Sequence, residues 1–371
     1  MSSVERETQF RSLPPRGTGV PPVWGAAKMA VPHLFGLVVL LFVAVSPGRA
    51  ASLGTAKFAA QSACPTGSLV PSGTTCYKIS VSNCAGGSPF VAWLKVTKPS
   101  GTVKGTVLFM TGEDGLGWYD QTFAFGSLIV GAVVQAGYAA AQVNFQDLST
   151  KPIEEPNGWL TVLNGTNAGP QELACRFATF ADDYLTSRVY PGGHLGATGN
   201  SAGGALIAYA LANYGLGTGP VLTLAEITSG PPLARVDNGC LCNQPPTLTP
   251  FGQGYLSQCF AGAATLVDST YAATPMACSG ATVSHVEPAG IDFQAGGIIT
   301  GSETTNYPLT TVNIFFAGQD NTTAVPNGLN WANASVISAK KLTISSIPDA
   351  FHSLPDSLPG ALQLIADLTS F

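Results

Sequence analysis

The chain has 371 residues, with 16 basic and 21 acidic side chains and a formal net charge of −5 at neutral pH. Only 10% of its residues are charged, while 45% are hydrophobic. An acidic chain so poor in Lys and Arg is ill suited to nucleic acid or to anionic membranes, and its surface must be built largely from Ser, Thr, Asn, Gln and Gly.

The first 50 residues read as a targeting segment rather than as part of a fold. Lys28-Met29 precedes an apolar run from Leu34 to Val45, and Ser46-Pro47-Gly48-Arg49-Ala50-Ala51 follows. A positive flank, a run of about a dozen apolar residues and small residues before the cut describe a secretory signal, with cleavage expected after Ala50. The run is too short to cross a bilayer with ease. Met29 is an alternative start, residues 1–27 being polar and rich in Pro and Gly. Residues 1–50 carry five basic and two acidic side chains, so 11 basic and 19 acidic ones remain beyond them, a net charge of −8. The protein is expected outside the cytoplasm, extracellular or periplasmic, with no membrane contact in its mature form. The remaining length suits one large α/β domain with an insertion.

All eight cysteines lie beyond the signal: Cys64, Cys76, Cys84, Cys175, Cys240, Cys242, Cys259 and Cys278. An even number in an exported chain reads as disulfides, although the sequence does not fix their pairing. Cys64 with Cys76, and Cys240 and Cys242 with Cys259 and Cys278, are the sequence-local options, which leaves Cys84 for Cys175. Cys240-x-Cys242 lacks the spacing of a zinc knuckle, so no metal is expected.

From Cys64 to Pro99 the pattern alternates, predicting half-buried antiparallel strands over 77–82 and 90–96. Residues 105–110 form a nearly continuous apolar run, the signature of a central strand. The loop Thr111-Gly112-Glu113-Asp114-Gly115-Leu116-Gly117-Trp118-Tyr119 follows. A helix is predicted over 127–136, a strand over 138–145, a Pro- and Gly-containing loop over 147–170, and a helix over 171–188 with Leu173, Phe177, Phe180, Tyr184 and Leu185 at helical spacing.

His194 to Thr198 predicts a short buried strand, and Gly204 to Ala212 an Ala/Leu-rich helix. Between them stands Gly199-Asn200-Ser201-Ala202-Gly203. This G-x-S-x-G sits in the strand–turn–helix context of a nucleophile elbow, where flanking glycines relieve the crowding of a strained serine. Another strand is predicted over 221–228. Residues 231–307, with four cysteines and weak periodicity, read as a disulfide-stapled cap inserted between core segments 51–230 and 308–371. Strands over 311–317 and 341–347 and an amphipathic helix over 358–368 close the chain. Alternating strands and helices imply a mostly parallel sheet covered on both faces, with ligands bound beyond the carboxyl ends of the strands.

A serine hydroxyl needs a base. Beyond the signal the chain offers His194, His285 and His352. His194 opens the strand leading to the elbow, at the far end from Ser201, and His285 lies in the cap. His352, after the last strand, is placed to hang an imidazole over the serine. Its orienting acid is assigned to Asp320, which follows the 311–317 strand, ahead of Asp349, Asp292 and Glu226. The oxyanion donors are assigned to the amides of Ala202 and Glu113, with Gly112 as the fallback. Trp118 and Tyr119 are assigned to substrate binding as walls of an acyl pocket, the competing reading being that they pack beneath the loop.

Ser201, Asp320 and His352, each following its own strand, resemble the α/β-hydrolase superfamily. The resemblance runs from Val91 to Phe371 and is carried by Gly199-Asn200-Ser201-Ala202-Gly203, Phe316-Ala317-Gly318-Gln319-Asp320 and Ala350-Phe351-His352-Ser353. It implies an eight-stranded, mostly parallel sheet and a Ser-Asp-His triad working without a cofactor. Within that superfamily the chain looks like secreted bacterial esterases and polyester depolymerases, but Thr111-Gly112-Glu113-Asp114 stands where hormone-sensitive-lipase-like esterases carry His-Gly-Gly-Gly. The expectation is a monomeric, secreted serine carboxylesterase acting on small or polymeric esters, aromatic ones included. A peptidase of the same fold and a catalytically silent extracellular binding module are the alternatives.

Overall fold

A computed structural model describes residues 51–84, 89–149, 158–161, 168–219, 221–236, 261–271, 278, 293–299, 305–320, 322–335 and 338–371. The proposed signal, most of the proposed cap, Cys240, Cys242, Cys259, His285 and Asp292 lie outside the described residues. The described residues all belong to the unit Ser46–Phe371.

The strands among them are β1 (Thr55–Ala60), β2 (Thr74–Ser82), β3 (Phe90–Thr97), β4 (Gly105–Met110), β5 (Ala139–Asn144), β6 (His194–Asn200), β7 (Leu224–Thr228), β8 (Asn306–Ala317) and β9 (Ser338–Ile347). They form one sheet in the order β1-β2-β3-β5-β4-β6-β7-β8-β9. From β5 to β9 every pairing is parallel, whereas β1, β2 and β3 add an antiparallel meander at one edge.

Side-chain alternation explains why the sheet is covered twice. In β4, Val107 and Phe109 face one layer with Ala140, Leu224 and the helices Gly126–Gln135 and Leu358–Leu368. Leu108 and Met110 point the other way, into a core shared with the helices Cys175–Thr186 and Ala202–Tyr214. A strand buried on both faces has to be apolar almost throughout, and the Gly105–Met110 run, polar only at Thr106, is buried at every position. This is the α/β-hydrolase architecture, with β1 as a strand beyond the eight that the resemblance implies.

Cys64 is bonded to Cys76, and Cys84 to Cys175 across 91 residues of sequence. The second bond ties the end of β2 to the start of the helix Cys175–Thr186. Cys278 is disulfide-bonded as well. The region predicted as a single helix over 171–188 is two, Gly169–Leu173 and Cys175–Thr186, meeting at Ala174. β8 begins at Asn306, ahead of the expected return to the core at 308.

Candidate active site

β6 ends at Asn200, and the helix Ala202–Tyr214 starts one residue later, so Ser201 has to reverse the chain alone. It does so at φ 56°, ψ −121°, a conformation that costs a non-glycine residue energy and persists only where the surroundings impose it. The Ser201 amide donates to Thr228 O at 2.8 Å, and Ser201 O accepts the amide of Ala205 at 3.1 Å. Close approach dictates the flanking glycines. A Cβ on Gly199 would lie 2.5 Å from backbone atoms of Gly203, and one on Gly203 would lie 2.3 Å from Thr111 O. The helix start is thereby seated directly against the exit of β4.

The acid and the imidazole come from the ends of β8 and β9. The turn after β8 is stitched to the chain after β9: Gly318 N donates to Ile347 O at 2.8 Å and Gln319 N to Ala350 O at 2.9 Å. That stitching brings Asp320 beside His352. The carboxylate is an acceptor only, so the Nδ1 atom of His352, 2.8 Å from Asp320 Oδ2, must carry the hydrogen, and Nε2 is left as the acceptor nitrogen. The other carboxylate oxygen accepts the Thr322 amide at 2.8 Å, and Thr322 Oγ1 lies 3.3 Å from Nδ1. The Asp320 side chain is fully buried, while that of His352 is 32% exposed, so one group is fixed and the other reaches solvent.

Ser201 and His352 line the same cleft, which encloses about 300 Å³ including its open mouth. Pro232, Leu233 and Leu266 supply apolar wall, Thr322 and Thr323 polar wall. Leu266 comes from the helix Ala261–Ser269, in the segment read as cap. The structure therefore brings together Ser201, Asp320 and His352. It also seats the Thr111–Trp118 loop on the elbow: a Cβ on Gly112 would lie 3.4 Å from the Ser201 Cβ. Glu113, next in sequence, has φ 50°. Ala202 is the first residue of its helix, where amides have no intrahelical acceptor.

Trp118 and Tyr119 require correction as pocket walls, because neither lines this cleft. Trp118 is buried against Cys76 and Trp93, donates to Ser68 Oγ at 2.8 Å and lies under the Lys95 ammonium. Tyr119 is buried between Phe109 and Phe123. Both pack beneath the loop. The adjoining Asp120 receives the buried Lys95 ammonium at 2.8 Å, and burial pulls the Lys95 pKa down while Asp120 pulls it back up.

The rival acids are elsewhere. Asp349 is exposed. Glu226 is fully buried inside β7, its carboxyl pushed well up by burial and then by the charge of Asp367. His194 is exposed at the start of β6, seven residues before Ser201. Two further contributors escaped the sequence reading. Asn200 Oδ1 accepts the Thr228 hydroxyl at 2.9 Å and the Leu354 amide at 3.3 Å, and Trp159 Nε1 donates to Glu113 O at 3.1 Å. The only signal for Asn200 was its place inside G-x-S-x-G.

No protein-family model and no curated protein sequence matches the chain. Solved structures do resemble it. Carboxyl esterase 2 from the mycorrhizal fungus Tuber melanosporum is 14% identical over 82% of this chain and 87% of that one, with a TM-score of 0.48. A bacterial heroin esterase is 14% identical over 82% and 85%, with a TM-score of 0.48. Est1E from Butyrivibrio proteoclasticus is 9% identical over 79% and 96%, with a TM-score of 0.44.

Proposed function

We propose that this chain is a secreted serine carboxylesterase. The observation that carries the reading is the Asp320–His352 hydrogen bond, 2.8 Å long, at the rim of the cleft into which the strained Ser201 turn opens. Ser201 Oγ attacks the ester carbonyl carbon as its proton passes to His352 Nε2. Charge collects on the carbonyl oxygen, and the amides of Ala202 and Glu113 stabilise it. The imidazolium then protonates the departing alcohol and leaves an acyl-serine. A water molecule, deprotonated by the same nitrogen, attacks the acyl carbon and releases the acid. Asp320 holds the imidazole in the tautomer this relay needs. No cofactor takes part in these steps.

The cleft favours an uncharged acyl group, since Pro232, Leu233 and Leu266 form its apolar side and, among the described residues, no Lys or Arg lines it. Aromatic esters and polyesters fall within that chemistry. The test is hydrolysis of a chain-length series of nitrophenyl esters beside feruloyl and polyester substrates, with fluorophosphonate labelling of the wild type and Ser201→Ala. Ester turnover and labelling that both disappear in Ser201→Ala are the expected result. Folded wild type that resists labelling would leave a binding module, and cleavage of peptides alone would leave a peptidase.

A further inference from the structure

Every carbonyl from Gly112 to Leu116 is held by a donor. Gly112 O accepts the Gly115 amide at 2.9 Å, Asp114 O the Trp159 amide at 2.9 Å, and Gly115 O the Phe145 amide at 3.0 Å. Leu116 O accepts the Thr111 hydroxyl at 2.9 Å, and Glu113 O the indole Nε1–H of Trp159 at 3.1 Å. Within this loop Glu113 stands at φ 50°, where a residue with a Cβ stays only if the peptide planes on both sides are fixed. The plane before it, which carries the Glu113 amide, is set by the Gly112–Gly115 bond. The plane after it is set by the indole of Trp159.

Trp159 is itself clamped. It is fully buried, and the Nη1 atom of Arg176 donates to its carbonyl at 2.9 Å, to Thr161 O at 2.9 Å and to Gly158 O at 3.4 Å. Arg176 is 1% exposed and stands over the Phe90 ring at 4.5 Å, while its Nε and Nη2 have no hydrogen-bond partner among the described residues. Burial lowers its pKa to about 10. A cation buried in this way is costly, and what it gains here is the capping of one short turn. That turn is keyed to the loop, because a Cβ on Gly158 would lie 2.4 Å from the Asp114 Cβ.

We propose that Trp159 is a positioning residue for the oxyanion hole: its indole N–H, locked in place by Arg176, holds Glu113 in the left-handed conformation that presents the Glu113 amide to the Ser201 site. The inference rests on the esterase reading above. It assigns to Trp159 no contact with substrate.

The test uses the full chain and a short nitrophenyl ester. Trp159→Phe keeps an aromatic ring and removes the donor. Replacing Trp159 by 3-benzothienylalanine keeps the full bicyclic shape and exchanges N–H for sulfur, so it serves where the smaller ring leaves the protein unfolded. The expected result is a kcat lowered about 10- to 100-fold, less than the roughly 100- to 1000-fold cost of deleting an oxyanion donor because the Glu113 amide is displaced rather than removed, with KM changed less than about twofold. The inhibition constant of a trifluoromethyl ketone, whose adduct with Ser201 places an oxyanion in the same hole, rises by the same factor as kcat falls. Unchanged kcat in either variant overturns the proposal, as does a fall in kcat that leaves the ketone's affinity untouched. Wild type that neither hydrolyses the ester nor takes up a fluorophosphonate overturns the esterase reading itself.

Discussion

Asn200 Oδ1 accepts the backbone amide of Leu354, 154 residues further along the chain, at 3.3 Å. The same oxygen accepts the Thr228 hydroxyl at 2.9 Å. One amide side chain thereby joins the end of β6, the end of β7 and the segment that carries His352. Asn200→Ala leaves two buried donors with less than their full complement of acceptors, at about 1–3 kcal/mol of stability. It also frees the histidine segment from the elbow. The expectation is a lower melting temperature together with a kcat reduced roughly tenfold, a loss of about 1.4 kcal/mol at the transition state. Thr228→Val removes one donor and leaves the Leu354 bond, so its kcat should stay near wild type while its melting temperature falls. Thermal melts and steady-state kinetics on both variants check this.

Asp320→Asn keeps the shape of the acid and loses its charge. The amide can present its NH₂ to His352, which favours the tautomer with hydrogen on Nε2 and removes the acceptor that the proposed mechanism asks of that nitrogen. A fall in kcat on the order of 10⁴ is expected, with the fold intact, because the Thr322 amide still finds an oxygen. Circular dichroism and turnover of a nitrophenyl ester separate the two effects.

Glu226 predicts a pH-dependent stability. Its carboxyl is buried beside Thr198 and Asn313 of the flanking strands, and among the described residues no hydrogen bond of good geometry reaches either oxygen, although Asn313 is near enough to draw the pKa back. Burial, and then Asp367, raise the pKa well above the ordinary 4.5. The folded chain therefore keeps a proton that the unfolded chain releases. Stability from this group is fully present below the unfolded value and drains away as pH rises toward the folded one. Glu226→Gln should melt higher than wild type at alkaline pH, with the gap closing in acid. A gap that does not change with pH would contradict the assignment.

The Cys84–Cys175 bond closes a loop of 91 residues. In the chain-entropy view such a link restrains the unfolded state by about 4–5 kcal/mol. The double variant Cys84→Ala/Cys175→Ala should lose several degrees or more of melting temperature, and Cys64→Ala/Cys76→Ala, with a separation of only 12, should lose less. Calorimetry under non-reducing conditions gives the ranking.

What could be read from the chain, and what could not, follows from the range of the interactions. The positions of Ser201, Asp320 and His352 just beyond β6, β8 and β9 could be read because those strands are clearly patterned in the sequence. Trp118 and Tyr119 did not, since an aromatic side chain in a loop can face either way and tertiary register decides. β1 was missed because the edge strand Thr55–Ala60 is nowhere more than partly buried and alternates over only its first four residues, too short a run to stand out. The helix Ala324–Ser335 was missed because Pro326, Gly328 and several Asn weaken local propensity. It forms through long-range contacts: Asn327 Nδ2 donates to Pro232 O at 2.7 Å, and a Cβ on Gly328 would lie 2.3 Å from Gly230 O. Trp159 sat in a stretch legible only as loop.

The seating of Gly203 against Thr111 O carries a lesson for redesign. In the proposed esterase, nucleophile and anion-binding backbone are cast as one block, so sequence diversity aimed at residues 111–117 or 199–204 is expected mostly to yield inactive protein. Libraries intended to retune acyl preference belong on the opposite wall, at Leu233, Leu266 and Thr323, whose side chains border the cleft without building the elbow.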